Sequence, residues 1–173
     1  FFKVIADNLK DILDASDNIG FVFSYPVEIF PDGDGKLIKF TKEIKAPEVE
    51  GEFIGRNLLD AIKKLGFKGN KKVVLLNDTV ASLLSGIAAF ADRQFDSFIG
   101  FVLGTGMNAC YIEKESKILK LKNINKIQSK NEQIVNVEAG NFALGPSSLV
   151  DMQFDISTNN PGVGKYEKMF SGA

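Results

Sequence analysis

An aspartate placed where a strand runs into a helix can take a proton from a hydroxyl, and Asp78 in Leu76-Asn77-Asp78-Thr79 stands at such a place. The run before it, Lys72-Val73-Val74-Leu75, reads as a buried strand. A second strand-like run, Phe98-Ile99-Gly100-Phe101-Val102, leads into Leu103-Gly104-Thr105-Gly106-Met107-Asn108. There the glycines allow a tight turn, and the backbone N–H groups with the Thr105 hydroxyl can cradle an anion such as a phosphate. Each motif also has a plainer reading. Asn77, Asp78 or Thr79 can simply cap the following helix, and Gly104-Thr105-Gly106 can be a β-turn and nothing more. Two such sites, one helix and one strand apart, together point to activation of a hydroxyl beside bound phosphate.

A ligand rich in hydroxyls needs planar polar groups around it, because every hydroxyl both donates and accepts. Asn77, Asp78, Asn108, Glu138, Asn141 and Glu167 are candidates of that kind, and spacing alone does not choose among them. The chain has no histidine, which removes Ser-His-Asp and Cys-His catalysis and every histidine-ligated metal. Its one cysteine, Cys110, excludes an intrachain disulfide and a cysteine zinc cluster. A general base must then be a carboxylate, a lysine or a tyrosine. A net charge of -1 argues against general nucleic-acid binding, and no apolar run is long enough to span a bilayer. A reducing, cytoplasmic compartment is the default expectation.

The elements that must hold these residues follow from periodicity. Phe2, Ile5, Leu9, Ile12 and Leu13 recur at helical spacing, and the helix they predict ends before Asn18-Ile19-Gly20. Phe21 to Phe30 and Lys36 to Glu43 read as two strands of a hairpin around Pro31-Asp32-Gly33-Asp34-Gly35. That turn does not fit a calcium loop, since Lys36 sits where an oxygen ligand is needed and no glutamate closes it. Ile54, Leu58, Leu59, Ile62 and Leu65 predict a second helix, closed by Gly66. Thr79 to Ala91 is apolar enough to read as a buried helix, and Phe98 to Leu103 with Ala109 to Glu113 as an antiparallel pair. Lys114 to Lys130 reads as a strand-and-loop excursion with a solvated face. Ile134 to Val137 is a short strand, and a helix starts near Lys165. Gly162-Val163-Gly164-Lys165 lacks the earlier glycine and the following Ser/Thr of a phosphate loop. The mixture predicts an α/β fold.

At this point six segments, in order, resemble the hexokinase family. They are Phe21-Val22-Phe23-Ser24-Tyr25-Pro26, Phe40-Thr41-Lys42, Leu76-Asn77-Asp78-Thr79-Val80 and Leu103-Gly104-Thr105-Gly106-Met107-Asn108-Ala109, then Val135-Asn136-Val137-Glu138-Ala139-Gly140-Asn141-Phe142, and Asn160-Pro161-Gly162 through Tyr166-Glu167-Lys168-Met169 and Ser171-Gly172. The resemblance implies the ribonuclease-H-like, actin-like ATPase fold, whose two α/β lobes close over a sugar and ATP-Mg²⁺. It implies transfer of the γ-phosphoryl group to the 6-hydroxyl of a hexose, with glucose as the first choice of acceptor. By it, Asp78 is the general base. Ser24, Thr41, Lys42, Asn77, Asp78, Asn108, Glu138 and Glu167 bind the sugar, and Gly104 and Thr105 meet the nucleotide phosphates. No residue of the chain is assigned as a metal ligand. Residues 1–76 would belong to the smaller lobe and 77–173 would open the larger one. The family's first phosphate loop and its adenosine segment have no counterpart here, so the chain is expected to be an internal piece, incomplete at both ends and inactive alone. Exposed sheet edges are then expected to promote self-association. Ala139 stands where the family carries an aromatic, which leaves open either looser packing behind Glu138 or compensation by Phe142. A sugar-binding or sugar-sensing module without catalysis is the alternative, and an α/β interaction domain is the blandest reading.

Overall fold

The structure is a computed structural model that describes residues 1–40, 45–119 and 131–171. The chain divides into two compact units, Phe1–Asp78 and Thr79–Ala173.

The first unit is built on a parallel pair of strands, β1 (Asn18–Val22) and β4 (Lys72–Leu76), with Asn18 opposite Lys72 and Val22 opposite Leu76. Helix α1 (Phe2–Leu9), continued by a 3₁₀ segment over Lys10–Ala15, packs on helix α2 (Ile54–Lys64), and α2 packs on β4. Leu13, Leu37, Ile54, Leu58, Val73 and Leu75 form the centre of one continuous core. The predicted helices are both present, and Gly66 closes α2 with φ of +89°.

The hairpin is also present, as β2 (Val27–Ile29) against β3 (Gly35–Leu37), but its strands are shorter than the sequence suggests. Phe21 to Phe30 is not one strand. Its first part pairs in parallel with β4, the Phe23 amide still donates to Leu76 O at 2.9 Å, and the chain then leaves the sheet. Pro26, which has no N–H to give a ladder, lies in the break. The part of the second run at residues 41–43 lies outside the described residues.

The hairpin turn does more than reverse the chain. Phe53, which precedes α2, has no side-chain acceptor for the helix amides. Asp34 supplies one from a distance: Oδ1 accepts from the amides of Gly35 (2.7 Å) and Gly55 (2.6 Å), and Oδ2 from that of Arg56 (3.1 Å). This is the work of an N-cap residue, done by a side chain 21 positions earlier in the chain. The Arg56 guanidinium adds an ion pair to Asp32 (3.0 Å) and lies 4.0 Å over the Phe53 ring. Asp34→Ala leaves two amides of a buried helix start without an acceptor. It is expected to lower stability by about 1–3 kcal/mol, read as a lower urea midpoint; an unchanged midpoint would show that water replaces the cap.

The second unit contains an antiparallel sheet in the order β5 (Ile99–Leu103), β6 (Met107–Lys114), β7 (Glu132–Asn136), together with α3 (Asp78–Ala89), α4 (Leu149–Ser157) and α5 (Lys165–Phe170). Helix α3 is not buried as its composition predicts. Only Thr79 and Leu83 are, and Leu84 and its neighbours on the other side are exposed. On β5, too, Ile99, Phe101 and Leu103 are exposed. Both elements are apolar on two faces, the pattern of elements covered on both sides, and the described residues of this chain cover one. Of Lys114 to Lys130, a 3₁₀ turn over Glu115–Lys117 follows β6, and residues 120–130 lie outside the described residues.

Candidate functional site

In the first unit the candidate residues gather at one end of the parallel pair. Ser24 follows the carboxyl end of β1, and Asn77 and Asp78 follow the carboxyl end of its neighbour β4. Ligands of open α/β sheets bind beyond such ends. All three are half-buried. Asp78 is also the first residue of α3, where a carboxylate is favoured by the helix N-terminus. Behind Ser24 lies an aromatic cluster in which Phe40 packs on Tyr25 at 4.9 Å and on Phe23 at 6.3 Å. The Phe40 amide donates to Glu50 Oε1 at 2.9 Å. The next residues, Thr41 and Lys42, lie outside the described residues.

In the second unit, Gly104 to Gly106 turns β5 into β6, with the Gly104 amide donating to Gly106 O at 2.9 Å. Thr105 is exposed at the tip, and a Cβ on Gly104 would meet nothing. Backbone here is open to close approach by an anion, which fits the predicted phosphate contact. Among the described residues no group of three or more carboxylates or thiols is arranged to hold a metal ion.

Asn108, Glu138 and Glu167 are brought around this turn by three different segments. Asn108 Oδ1 accepts from the amides of Ala109 (2.8 Å) and Ala139 (3.2 Å). Its Nδ2 donates to Asn136 Oδ1 (2.8 Å), and Asn136 Nδ2 donates in turn to Glu138 Oε1 (2.5 Å). Glu138 has φ of +55°, the only non-glycine residue with positive φ among those described. A non-glycine residue in that region is uncommon. Glu167 reaches the turn from α5, and its Oε1 accepts from the Met107 amide at 2.8 Å. Glycines make room for it: a Cβ on Gly106 would lie 2.7 Å from that oxygen, and one on Gly140 3.0 Å. Glu138 Oε2 and Glu167 Oε2 accept no hydrogen bond among the described residues.

The position of Glu167 depends on residues that the sequence did not single out. Its neighbour Lys168 uses all three ammonium hydrogens, on Asp155 Oδ1 (2.6 Å), Thr158 Oγ1 (2.9 Å) and Asn160 O (3.0 Å). Asp155 Oδ2 accepts from the Gly162 amide at 2.9 Å. The Lys168 ammonium, helped by that amide, holds the Asp155 carboxyl below its usual range against the opposing effect of burial. Tyr166 donates to Pro146 O at 2.8 Å and its ring meets Phe142 at 5.6 Å, so Phe142 packs against α5. Asp155 comes from α4, an element absent from the sequence reading. Its start was marked by a capping box, with Ser148 Oγ accepting from the Asp151 amide and Asp151 Oδ2 from that of Ser148.

Helix α3 is seated on the sheet by a close approach. A Cβ on Gly100 would fall 2.6 Å from Cys110 Sγ, 2.8 Å from Thr79 O and 2.9 Å from Leu83 Cβ. The buried Cys110 thiol donates to Thr79 O at 3.3 Å, and burial pushes its pKa up. It is a packing and hydrogen-bonding group here, without thiolate character.

Comparison with known proteins gives this geometry its context. Two family models, both described as hexokinase, match residues 1–88 and residues 98–173. A glucokinase of Aspergillus niger is 34% identical over 90% of this chain and 32% of its own length. Hexokinase-1 of Schizosaccharomyces pombe is 35% identical over 99% of the chain and 37% of its own length. The chain thus spans about a third of the length of the curated relatives it matches. Among solved structures, the hexokinase of Schistosoma mansoni in complex with glucose is 30% identical, with a TM-score of 0.69 over 98% of this chain and 39% of its own. The fold is that of the hexokinases, and the chain belongs to the hexokinase family.

Proposed function

We propose that this chain is the sugar-binding core of an ATP-dependent hexose kinase that phosphorylates the 6-hydroxyl, with glucose as acceptor. The observation that carries the sugar side is the pair of carboxylates Glu138 and Glu167, each held through one oxygen, with Oε2 engaged by no described residue. Two such acceptors beside an amide suit a ring of hydroxyls. The kinase side is supported by family membership and by the glucose complex of the Schistosoma relative.

Asp78 accepts the proton of the 6-hydroxyl as its oxygen forms a bond to the γ-phosphorus, while the bond from that phosphorus to the β–γ bridging oxygen breaks and ADP leaves. Ser24, Thr41, Lys42, Asn77, Asn108, Glu138 and Glu167 hold the remaining hydroxyls and so fix which one faces Asp78. Gly104 and Thr105 meet the nucleotide phosphates through backbone and hydroxyl donors. ATP supplies the phosphoryl group, and Mg²⁺ bound to its phosphates neutralises charge there. Residues 1–76 are assigned to the smaller lobe and 77–173 to the larger. Among the described residues no helix is long and apolar enough to cross a membrane.

The test is a coupled ATP-to-ADP assay on the full-length gene product, with and without glucose, run beside this chain. Glucose-dependent turnover by the full-length product alone is expected. Calorimetric glucose binding with no turnover would replace the kinase by a sugar-binding module.

A further inference from the structure

Asn136 is assigned no role by the reading above, yet it sits at the centre of the polar cluster. We propose that Asn136 is a positioning residue of the sugar site: by accepting from Asn108 Nδ2 and donating to Glu138 Oε1 it aims the remaining N–H of Asn108 and Oε2 of Glu138 toward the ligand. The inference rests on the hexose-kinase reading and deepens it.

The argument is one of hydrogen-bond capacity. Asn108 Oδ1 already accepts from two backbone amides, those of Ala109 and Ala139, and an amide oxygen has two lone pairs. This fixes which end of the Asn108 amide is oxygen. Its Nδ2 must then donate, and one of its two hydrogens goes to Asn136 Oδ1. Asn108 is left with a single N–H for a ligand and no acceptor. Because Asn136 Oδ1 is committed to Asn108, Asn136 Nδ2 faces Glu138 and donates to Oε1. Turning the Asn136 amide over would set its oxygen against a carboxylate and its NH₂ against another NH₂. Glu138 is thereby held through one oxygen, and Oε2 remains as an acceptor. The Ala139 amide, next in the chain, is tied to Asn108, which secures the positive-φ backbone of Glu138. Only a side chain carrying a donor and an acceptor on one short planar group closes this circuit. Asn136 lies two residues before Glu138 at the end of β7 and opposite Cys110 on β6, beside Asn108.

Asn136→Asp tests the polarity rather than the bulk. The new oxygens still accept from Asn108, but a carboxylate now faces the Glu138 carboxylate. When both are ionised they repel, and Glu138 Oε2 is displaced. Like charges raise one pKa of such a pair, so on acidification the two share a proton and the link reforms. In the full-length gene product, the glucose KM of N136D divided by that of the unsubstituted enzyme is expected to be about tenfold or more at pH 8. It should fall toward unity near pH 5.5, with the KM for ATP unchanged. Reading KM rather than kcat keeps the sugar site apart from the chemical step. Asn136→Leu, which has no proton to share, should raise the glucose KM equally at both pH values. A KM ratio near one at pH 8, or a defect independent of pH in N136D, overturns the assignment of Asn136 alone. Absence of glucose turnover and binding by the unsubstituted protein overturns the hexose-kinase reading with it.

Discussion

Replacing Asp78 by Asn is expected to lower kcat of the full-length gene product by about 10²–10⁴-fold, the range that a positioned general base contributes. The glucose KM and the melting temperature should change little. Asn is chosen because it preserves volume and can still accept at a helix N-terminus, so the start of α3 is kept while the proton acceptor is lost. The split between kcat and KM carries the interpretation. An aspartate that only caps α3 would affect stability and leave turnover per folded molecule alone. An aspartate that only holds a hydroxyl would raise KM. Loss confined to kcat assigns the proton transfer to Asp78, and D78N activity within tenfold of the unsubstituted enzyme would refute that role. The first turn of α3 is seated on the sheet by the close approach at Gly100 and the Cys110–Thr79 hydrogen bond.

What the sequence made legible were the features encoded within a few residues. The hairpin turn of two Asp-Gly pairs, the 3.6-residue period of α2 with Gly66 behind it, and the glycine turn between β5 and β6 are each set by local backbone demands. What it left hidden depends on partners far along the chain. Pairing of β1 with β4 joins residues more than fifty positions apart, and no local signal separates it from pairing within the hairpin. The Asp34 cap on α2 is hidden for the same reason, since capping rules look three residues ahead and this one reaches from another element. Helix α3 misled because composition reports how apolar a helix is, not which of its sides this length of chain can cover. Helix α4 was legible and overlooked, its Ser148–Asp151 box lying in plain order.

The candidate site divides along the same line. Residue types offered Asn108, Glu138 and Glu167 among other candidates and the resemblance to hexokinases selected them; they converge on one turn. The residues that orient them did not stand out, because they touch other side chains and not the expected ligand. Asn136 had one available signal: it is a short polar side chain at the end of a strand, two residues before Glu138. Lys168 had none, since a lysine in the last turn of a short helix reads as a solvated charge favoured by the helix C-terminus.

Lys168→Met tests whether that lysine matters, and it should produce the second large effect. Asp155 and Lys168 side chains are each only 10% exposed. Met keeps the aliphatic stem but removes the ammonium. Thr158 Oγ1 and Asn160 O then lose a donor, and Asp155 becomes a nearly buried carboxylate with the Gly162 amide as its remaining partner. Removing one member of a buried pair costs far more than the pair contributes, because the other charge stays behind. The full-length gene product carrying K168M is expected to melt several degrees lower at neutral pH. Its glucose KM should rise about tenfold or more as Glu167, the adjacent residue, loses its register against Met107 and the glycines. The pH dependence fixes the cause. The Lys168 ammonium holds the Asp155 carboxyl below the usual carboxylate range, so its contribution to stability is complete above that range and is lost as pH falls through the folded-state pKa. In K168M the ammonium that holds the carboxyl down is gone while burial still opposes its charged form, so protonating Asp155 costs the variant less than the unsubstituted protein. The difference in stability between the two proteins should therefore be constant around neutrality and narrow below about pH 4. A gap that stays constant into acid would place the damage in lost packing and not in the ion pair, and a normal glucose KM would detach Lys168 from the position of Glu167.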